Sequence, residues 1–236
     1  MVFEIDAGEK VGELVARHWG LARLFEEEGI DYCCGGRESL RHACEERGID
    51  IKKFLHRVEK LNEGGTSEKK FSTLTELIDH IMSTHHVFLR SELPLLNNLT
   101  LKVLTAHGDK DPRFLVLRET FLELSEDLTQ HMLKEEQILF PMIREMEESK
   151  SVGEFHYGSI ACPIRQMETE HDQAGSALCD LRELTDEYLV PDCACNTHKA
   201  MLASLANLEK DLHQHIHKEN NILFPRAIRL ASEMGI

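Results

Sequence analysis

The 236-residue chain contains no run of about 18 apolar residues, so no membrane-spanning helix is expected. It is poor in positive charge: 27 Lys and Arg stand against 42 Asp and Glu, a formal net charge of −15. Phosphate backbones and anionic lipids need clustered cations, which argues against nucleic acid or a membrane surface as partner. The seven cysteines are an odd number and no two are separated by two residues, so neither a disulfide framework nor a zinc knuckle is indicated. Alternation of apolar and polar residues is almost missing, which argues against a sheet. The opening stretch MVFEIDAGEKVGELVARHW is charged early and has no apolar signal core. The expected compartment is the cytoplasm, with reduced thiols.

What is plentiful is histidine, 14 residues beside one Trp and three Tyr. A surplus of imidazoles in an acidic chain suggests metal or proton chemistry. The polar stretch Asn62–Lys70, NEGGTSEKK, reads as a linker between a small domain at 1–64 and a larger one at 71–236. In the small domain, Val11, Leu14, Val15, Leu21, Leu24 and Phe25 recur at helical spacing, and Gly29 is a helix stop. The larger part reads as four long helices, from about Leu74 to Asn97, Arg113 to Glu147, Pro163 to Tyr188 and Thr197 to Ser232. Pro112 and Pro163 suit first helical turns and Thr197 suits an N-cap. Cys179 falls in a periodic apolar stretch and is expected in the core. The fold class is all-α, a small helical domain followed by a four-helix bundle.

The bundle contains a repeat. Asp127–Pro141, DLTQHMLKEEQILFP, matches Asp211–Pro225, DLHQHIHKENNILFP, at ten of fifteen positions. Two copies of one helical hairpin are expected, and anything between them is doubled. The doubled feature is His-x-x-x-Glu, as His131 with Glu135 and His215 with Glu219. Residues i and i+4 share a helical face, so each pair aims an imidazole and a carboxylate at one point. Leu128, Ile138 and Leu139, and in the other copy Leu212, Ile222 and Leu223, turn that face inward. His86 and His171 add one imidazole per hairpin, with His80 and His85 as rivals to His86. His213 and His217 flank His215 on other faces, exposed or behind the ligands. His18, His42, His56, His107, His156 and His198 have no partner pattern and are expected at the surface. Four His and two Glu suit two metal ions, with both carboxylates bridging and two imidazoles on each ion. A fifth oxo or hydroxo bridge leaves a sixth position open, which favours iron over closed structural zinc.

The small domain's distinctive segment is Asp31-Tyr32-Cys33-Cys34-Gly35-Gly36. Adjacent cysteines make a poor structural disulfide. Placed just before a helix beginning near Ser39, Cys33 and Cys34 are expected to have lowered thiol pKa and a redox or metal-handling role. Cys193-x-Cys195 has no His or Cys partner nearby in sequence.

Tyr32–Gly36 followed by HMLKEEQILFPMI and HIHKENNILFPRAI resembles the RIC (repair of iron centres) family, from about Gly12 to Ile228. The resemblance implies a hemerythrin-like bundle holding two non-haem irons, oxo- or hydroxo-bridged, on His86, His131, Glu135, His171, His215 and Glu219. The family pattern Ile-Asp-His with a His six residues beyond selects His86, through Ile78-Asp79-His80. It also implies repair of iron–sulfur clusters damaged by nitrosative or oxidative stress. The route would be iron donation, nitric oxide reduction to nitrous oxide, or both, with Cys33 and Cys34 in redox or iron transfer. Damaged iron–sulfur proteins would be partners, nitric oxide or oxygen the small ligand, and a homodimer is compatible. The linker would let the small domain swing towards the bundle. Rival readings are an oxygen or nitric oxide carrier or sensor, which needs no thiol pair, and a structural metal with an interaction role.

Overall fold

A computed structural model describes residues 5–18, 20–62, 71–148 and 159–235. The stretch 63–70 of the expected linker, and His156, lie outside the described residues. No strand occurs among the described residues, only an isolated bridge between Lys10 and Ser39.

Four short helices build the first unit: α1 (Val11–Arg17), α2 (Gly20–Glu27), α3 (Leu40–Glu46) and α4 (Ile51–Asn62). Each is too short to persist alone, and their stability comes from a shared apolar cluster. Val11, Leu14, Leu24, Phe25, Leu40 and Phe54 form it, with Phe25 stacked on Phe54 at a centroid distance of 5.4 Å. Gly29 stops α2 as expected. Its φ of +66° is the left-handed conformation, and the Ile30 N–H donates to the Phe25 carbonyl at 2.8 Å.

The second unit is a bundle of four rods. The first joins α5 (Leu74–Ile81), a π-helical turn (Met82–His86) and α6 (Val87–His107). The second joins α7 (Arg113–Lys134), a π-turn (Glu135–Leu139) and α8 (Phe140–Glu148). The third is α9 (Ala161–Leu184) alone, and the fourth joins α10 (Asn196–Lys218), a π-turn (Glu219–Leu223) and α11 (Phe224–Met234). One apolar cluster, including Leu93, Phe121, Leu178 and Leu205, fills the half nearest the α6–α7 and α9–α10 connections. A second, including Ile78, Phe140, Ile143 and Phe224, fills the other half. Between them lies a polar layer. At the α5 end, a capping box joins Thr73 and Glu76, and Glu147 accepts from the N–H groups of Leu74 and Thr75 at 2.6 and 2.8 Å.

Several local expectations change. The first rod continues past Asn97 to His107, and the third ends at Leu184, before Tyr188. Cys195, not Thr197, caps α10, its sulfur accepting from the His198 N–H, and Pro112 is the N-cap of α7. Cys179 is exposed: the inward residues of α9 are His171, Ala174, Leu178 and Leu181, and one further step of 100° carries Cys179 outward. Ile138 is 52% exposed, although Leu139 beside it is buried. The π-turn holds one residue more than an α turn, and that residue rotates Ile138 off the inner face.

The small unit is docked on the bundle in this structure. Tyr32, Cys33 and Gly36 press against the fourth rod's π-turn. Asn221 donates to the carbonyls of Tyr32 and Cys33, each at 3.3 Å, and Asn220 donates to the Cys33 carbonyl at 3.4 Å. His217, fully buried, sits edge-on to the Tyr32 ring at 5.3 Å. Gly12 and Gly36 permit the approach, because a Cβ on either would overlap Asn221.

Candidate metal centre

The polar layer brings together the four residues singled out by the repeat and the two further histidines that the family resemblance implies. His86 comes from the first rod, His131 and Glu135 from the second, His171 from the third, His215 and Glu219 from the fourth. All six are buried, with Glu135, Glu219 and His86 at 0% exposure. Their donor atoms form two overlapping groups. His86, His215, Glu135 and Glu219 make one; His131, His171 and the same two glutamates make the other. Within each group the donors lie within 4.8 Å of one another.

Both carboxylates belong to both groups, with one His at about the same range on each side. Glu135 Oε2 lies 3.2 Å from His86 Nε2, and its Oε1 lies 3.3 Å from His131 Nε2. Glu219 Oε1 lies 3.1 Å from His215 Nε2, and its Oε2 lies 3.1 Å from His171 Nε2. The Nε2 atoms of His131 and His171 approach to 3.1 Å. Three of the four Nδ1 atoms are held from behind. His86 Nδ1 faces Glu136 at 2.6 Å, His131 Nδ1 faces Glu170 at 2.9 Å, and His171 Nδ1 faces Asn220 at 2.8 Å. An acceptor behind Nδ1 places the ring proton there and leaves the Nε2 lone pair pointing inward.

The residues fit a cation. His86 Nε2, both oxygens of Glu135 and Glu219 Oε2 are buried without a hydrogen-bond partner. Leaving such groups unmatched costs about 1–3 kcal/mol each, and a shared cation satisfies them at once. Oxygen and imidazole donors without sulfur suit iron, manganese or zinc. Without a cation, charge must be balanced by protons. Burial pulls His131 down, but Glu135, Glu219 and Glu170 push it up to about 10. Burial likewise opposes protonation of His86, and Glu135 and Glu136 override it. Burial pushes both glutamates up, joined at Glu135 by the charge of Glu219, yet the surrounding histidines hold both below the usual carboxylate range. His215, dominated by burial, is pushed well down and stays neutral.

The rivals of His86 are placed elsewhere. His85 is buried with Nδ1 2.9 Å from Asp211 and Nε2 2.9 Å from Lys218 Nζ, and His80 lies beside Phe71. His42 and His56 are exposed, whereas His18, His107 and His198 are half-buried. His107 meets Cys195 Sγ at 3.4 Å, a pairing between distant segments that sequence proximity could not supply.

The paired thiols lie beside the layer. Cys34 Sγ is 3.6 Å from the His171 carbonyl, Cys33 is buried, and Asp31, Cys33 and Cys34 bring three donor atoms within 4.8 Å. The expected lowering of the thiol pKa does not occur at Cys33. Its bond to Cys34, burial and the Asp31 charge push it well up. The helix that was to stabilise a thiolate begins at Leu40, six residues beyond Cys34, and Ser39 caps its N-terminus, accepting from the His42 N–H. Asp31 takes the role of a cap here, accepting from the N–H groups of Cys33, Cys34 and Gly35 at 2.9 Å each. A cavity of about 120 Å³, lined by His131, His171, His215, Asp127 and Glu170 among others, reaches the layer from one side. A groove of about 620 Å³ runs past Asp31, Cys33, Cys34 and Cys179 between the two units.

Sequence reasoning missed the π-turns. Three of the four rods carry one, each with a cage residue at its edge: His86 ends the first, Glu135 and Glu219 begin the others. Pro141 and Pro225 stand two residues beyond the latter two. A proline has no N–H for the carbonyl four residues back, and that was the available signal.

Comparison with known proteins places these features. Residues 77–227 match the Hemerythrin HHE cation binding domain, and residues 7–62 match ScdA_N, a domain of unknown function (DUF542). An iron-sulfur cluster repair protein YtfE of Dickeya chrysanthemi is 38% identical over 94% of this chain and 97% of its own length. YtfE of Escherichia coli O157:H7 is 37% identical over 93% and 96%. A probable iron-sulfur cluster repair protein of Haemophilus influenzae is 35% identical over 94% and 97%.

Proposed function

The chain belongs to the hemerythrin HHE cation-binding family and, over nearly its whole length, to the iron–sulfur cluster repair proteins, and from that premise we propose that it repairs damaged iron–sulfur clusters with two irons bound in the buried layer. His86 and His215 would hold one ion, His131 and His171 the other, and Glu135 and Glu219 would bridge them. The observation that carries this reading is the sharing of both glutamates between two four-donor groups. When bound, the iron pair supplies one-electron equivalents and exchangeable positions for a small ligand such as nitric oxide or oxygen.

The chain's own residues do the rest. Glu136, Glu170 and Asn220 fix three imidazoles so that Nε2 presents a lone pair. The protons that balance Glu135 and Glu219 in the metal-free protein leave as cations enter, so loading releases acid. The two apolar clusters keep bulk water from the layer on both sides. Iron given up to a damaged cluster is cargo, and its path leads past Cys34, against the His171 carbonyl, to the Asp31–Cys33–Cys34 donors and the groove. Cys33 and Cys34 receive iron there or supply electrons. The thiol pair favours repair over simple gas carriage, which requires no thiol.

The test uses a [4Fe–4S] enzyme inactivated with nitric oxide and incubated anaerobically with the iron-loaded protein. Wild type is expected to restore activity. Glu135→Ala and Glu219→Ala are each expected to hold fewer than two irons and to restore little. Cys33→Ser with Cys34→Ser is expected to keep both irons and lose repair. Two irons retained in both glutamate variants would remove the bridging assignment, and undiminished repair by the thiol variant would make the cysteines structural.

A further inference from the structure

The repeat makes the two halves of the layer nearly equivalent, and the exceptions fall behind the histidines. Glu136 and Asn220 occupy the same repeat position. Each supports the His of the other rod in its hairpin, Glu136 behind His86 and Asn220 behind His171. Behind the repeat's own histidines the symmetry fails. Glu170 accepts from His131 Nδ1 at 2.9 Å and is itself anchored by Lys134 at 2.5 Å and Gln166 at 2.8 Å. Beside His215 the corresponding place belongs to His85, which precedes His86 as Glu170 precedes His171. His85 does not accept from His215. It stacks flat on that ring, 5.2 Å between centroids and 4° between planes, with its nitrogens committed to Asp211 and Lys218. His215 Nδ1 is left buried with no partner.

We propose that the two metal positions are unequal, and that the ion on His86 and His215 is the weakly held one, available for donation, while the ion on His131 and His171 stays. The inference rests on the reading that these six residues hold two irons. An acceptor behind a ligating histidine fixes its ring and strengthens its lone pair, and losing one lowers metal affinity by about 10–100-fold. The His131/His171 position has an acceptor behind both rings. The His86/His215 position has one. The 120 Å³ cavity is lined by His131 and His171 as well as His215, so the difference between the two positions lies in the acceptors behind the rings and not in access. His85 is thus a positioning residue by substitution: it fills the place where an acceptor would stand.

Single-position proteins test the order directly. Full-length His86→Ala and His131→Ala are loaded anaerobically with ferrous ion and titrated with a ferrous chelator, with bound iron counted at each step. In His131→Ala the remaining ion occupies the less supported position and should be half-extracted at a chelator concentration at least 10-fold lower than in His86→Ala. Equal affinities, or the reverse order, would overturn the inference while leaving the two-iron reading intact. Absence of iron from the wild type would overturn the two-iron reading itself. If either variant is unfolded by circular dichroism, extraction from the wild type decides. Two steps separated about 10-fold are expected, and loss of both irons in a single step would refute the inequality.

Discussion

Docking of the small unit depends on two glycines meeting Asn221, and Gly12→Ala is the perturbation that isolates this contact. A Cβ on Gly12 would stand 2.7 Å from Asn221 Cγ and 2.9 Å from the Gly36 carbonyl oxygen. Asn221 relieves the first overlap only by swinging away, which breaks its bonds to the Tyr32 and Cys33 carbonyls. Each lost bond costs about 1 kcal/mol. The overlap with the Gly36 carbonyl and the helix propensity of alanine act within the small unit, docked or not, and cancel from the docking balance. The docking penalty is therefore about 2 kcal/mol, which makes undocking roughly 30-fold more frequent at 1.4 kcal/mol per decade. The assay is alkylation of Cys34, followed by mass spectrometry of its peptide, because Cys34 Sγ is partly covered by the His171 carbonyl in the docked form. Gly12→Ala should alkylate Cys34 far faster than wild type. Gly8→Ala, whose Cβ would meet only Asp6 at 3.5 Å, should match wild type. In an Asn221→Ala background the added cost of Gly12→Ala should shrink, because the side-chain overlap is gone. Equal Cys34 reactivity in Gly12→Ala and wild type would refute the account of the interface.

Other consequences are simpler to check. Glu170→Ala removes the acceptor behind His131, so affinity for the second ion should fall about 10–100-fold in chelator competition; unchanged affinity would mean that the ring is held by packing alone. Glu147→Gln should lower the midpoint of thermal unfolding by about 3–6 °C, from loss of about 1.5 kcal/mol at the start of α5. Burial pushes Glu147 up, and the N–H groups of Leu74 and Thr75 hold it below its ordinary value of 4.5. A depressed carboxylate stabilises fully above the unfolded value and loses that contribution as pH falls through the folded one. The wild-type advantage should therefore be constant near neutrality and vanish in acid; an advantage that persists in acid would contradict the capping role.

Four of the six layer residues, His131, Glu135, His215 and Glu219, were legible because duplication put them in the sequence twice, whereas His86 was separated from His80 and His85 only by the family pattern. His-x-x-x-Glu recurs with its flanks, and the i, i+4 rule needs nothing from tertiary structure. The misplacements share one cause, helix phase. Cys179 and Ile138 are apolar residues next to inward ones, and which of two neighbours points inward depends on a rotation of 100°, which at Ile138 a π-turn also resets. Asn220 and Asn221 became meaningful only once the small unit was docked. Their counterparts Glu136 and Gln137 face no carbonyls, whereas the second copy must donate to Tyr32 and Cys33, and a carboxylate at position 220 has no proton to give. The helix after the glycines starts where expected, and the Cys33 thiol was misread because nothing in the sequence shows that it is buried against Cys34 and the Asp31 carboxylate.

The π-turns turn chain length through the polar layer into a counted quantity. Below Glu135 and Glu219 every buried residue, from Leu139 to Met146 and from Leu223 to Ala231, faces inward only because one extra residue was threaded through the turn above it. Removing a single residue there would act like a skipped tooth in a gear. The cage residues above would keep their places, while the whole lower half of the rod turned by about 100° and exchanged its apolar face for its charged one. Substitutions in these turns are local events, but insertions and deletions are not. The lengths of the segments EEQIL and ENNIL are therefore a stronger signature of this layer than their letters.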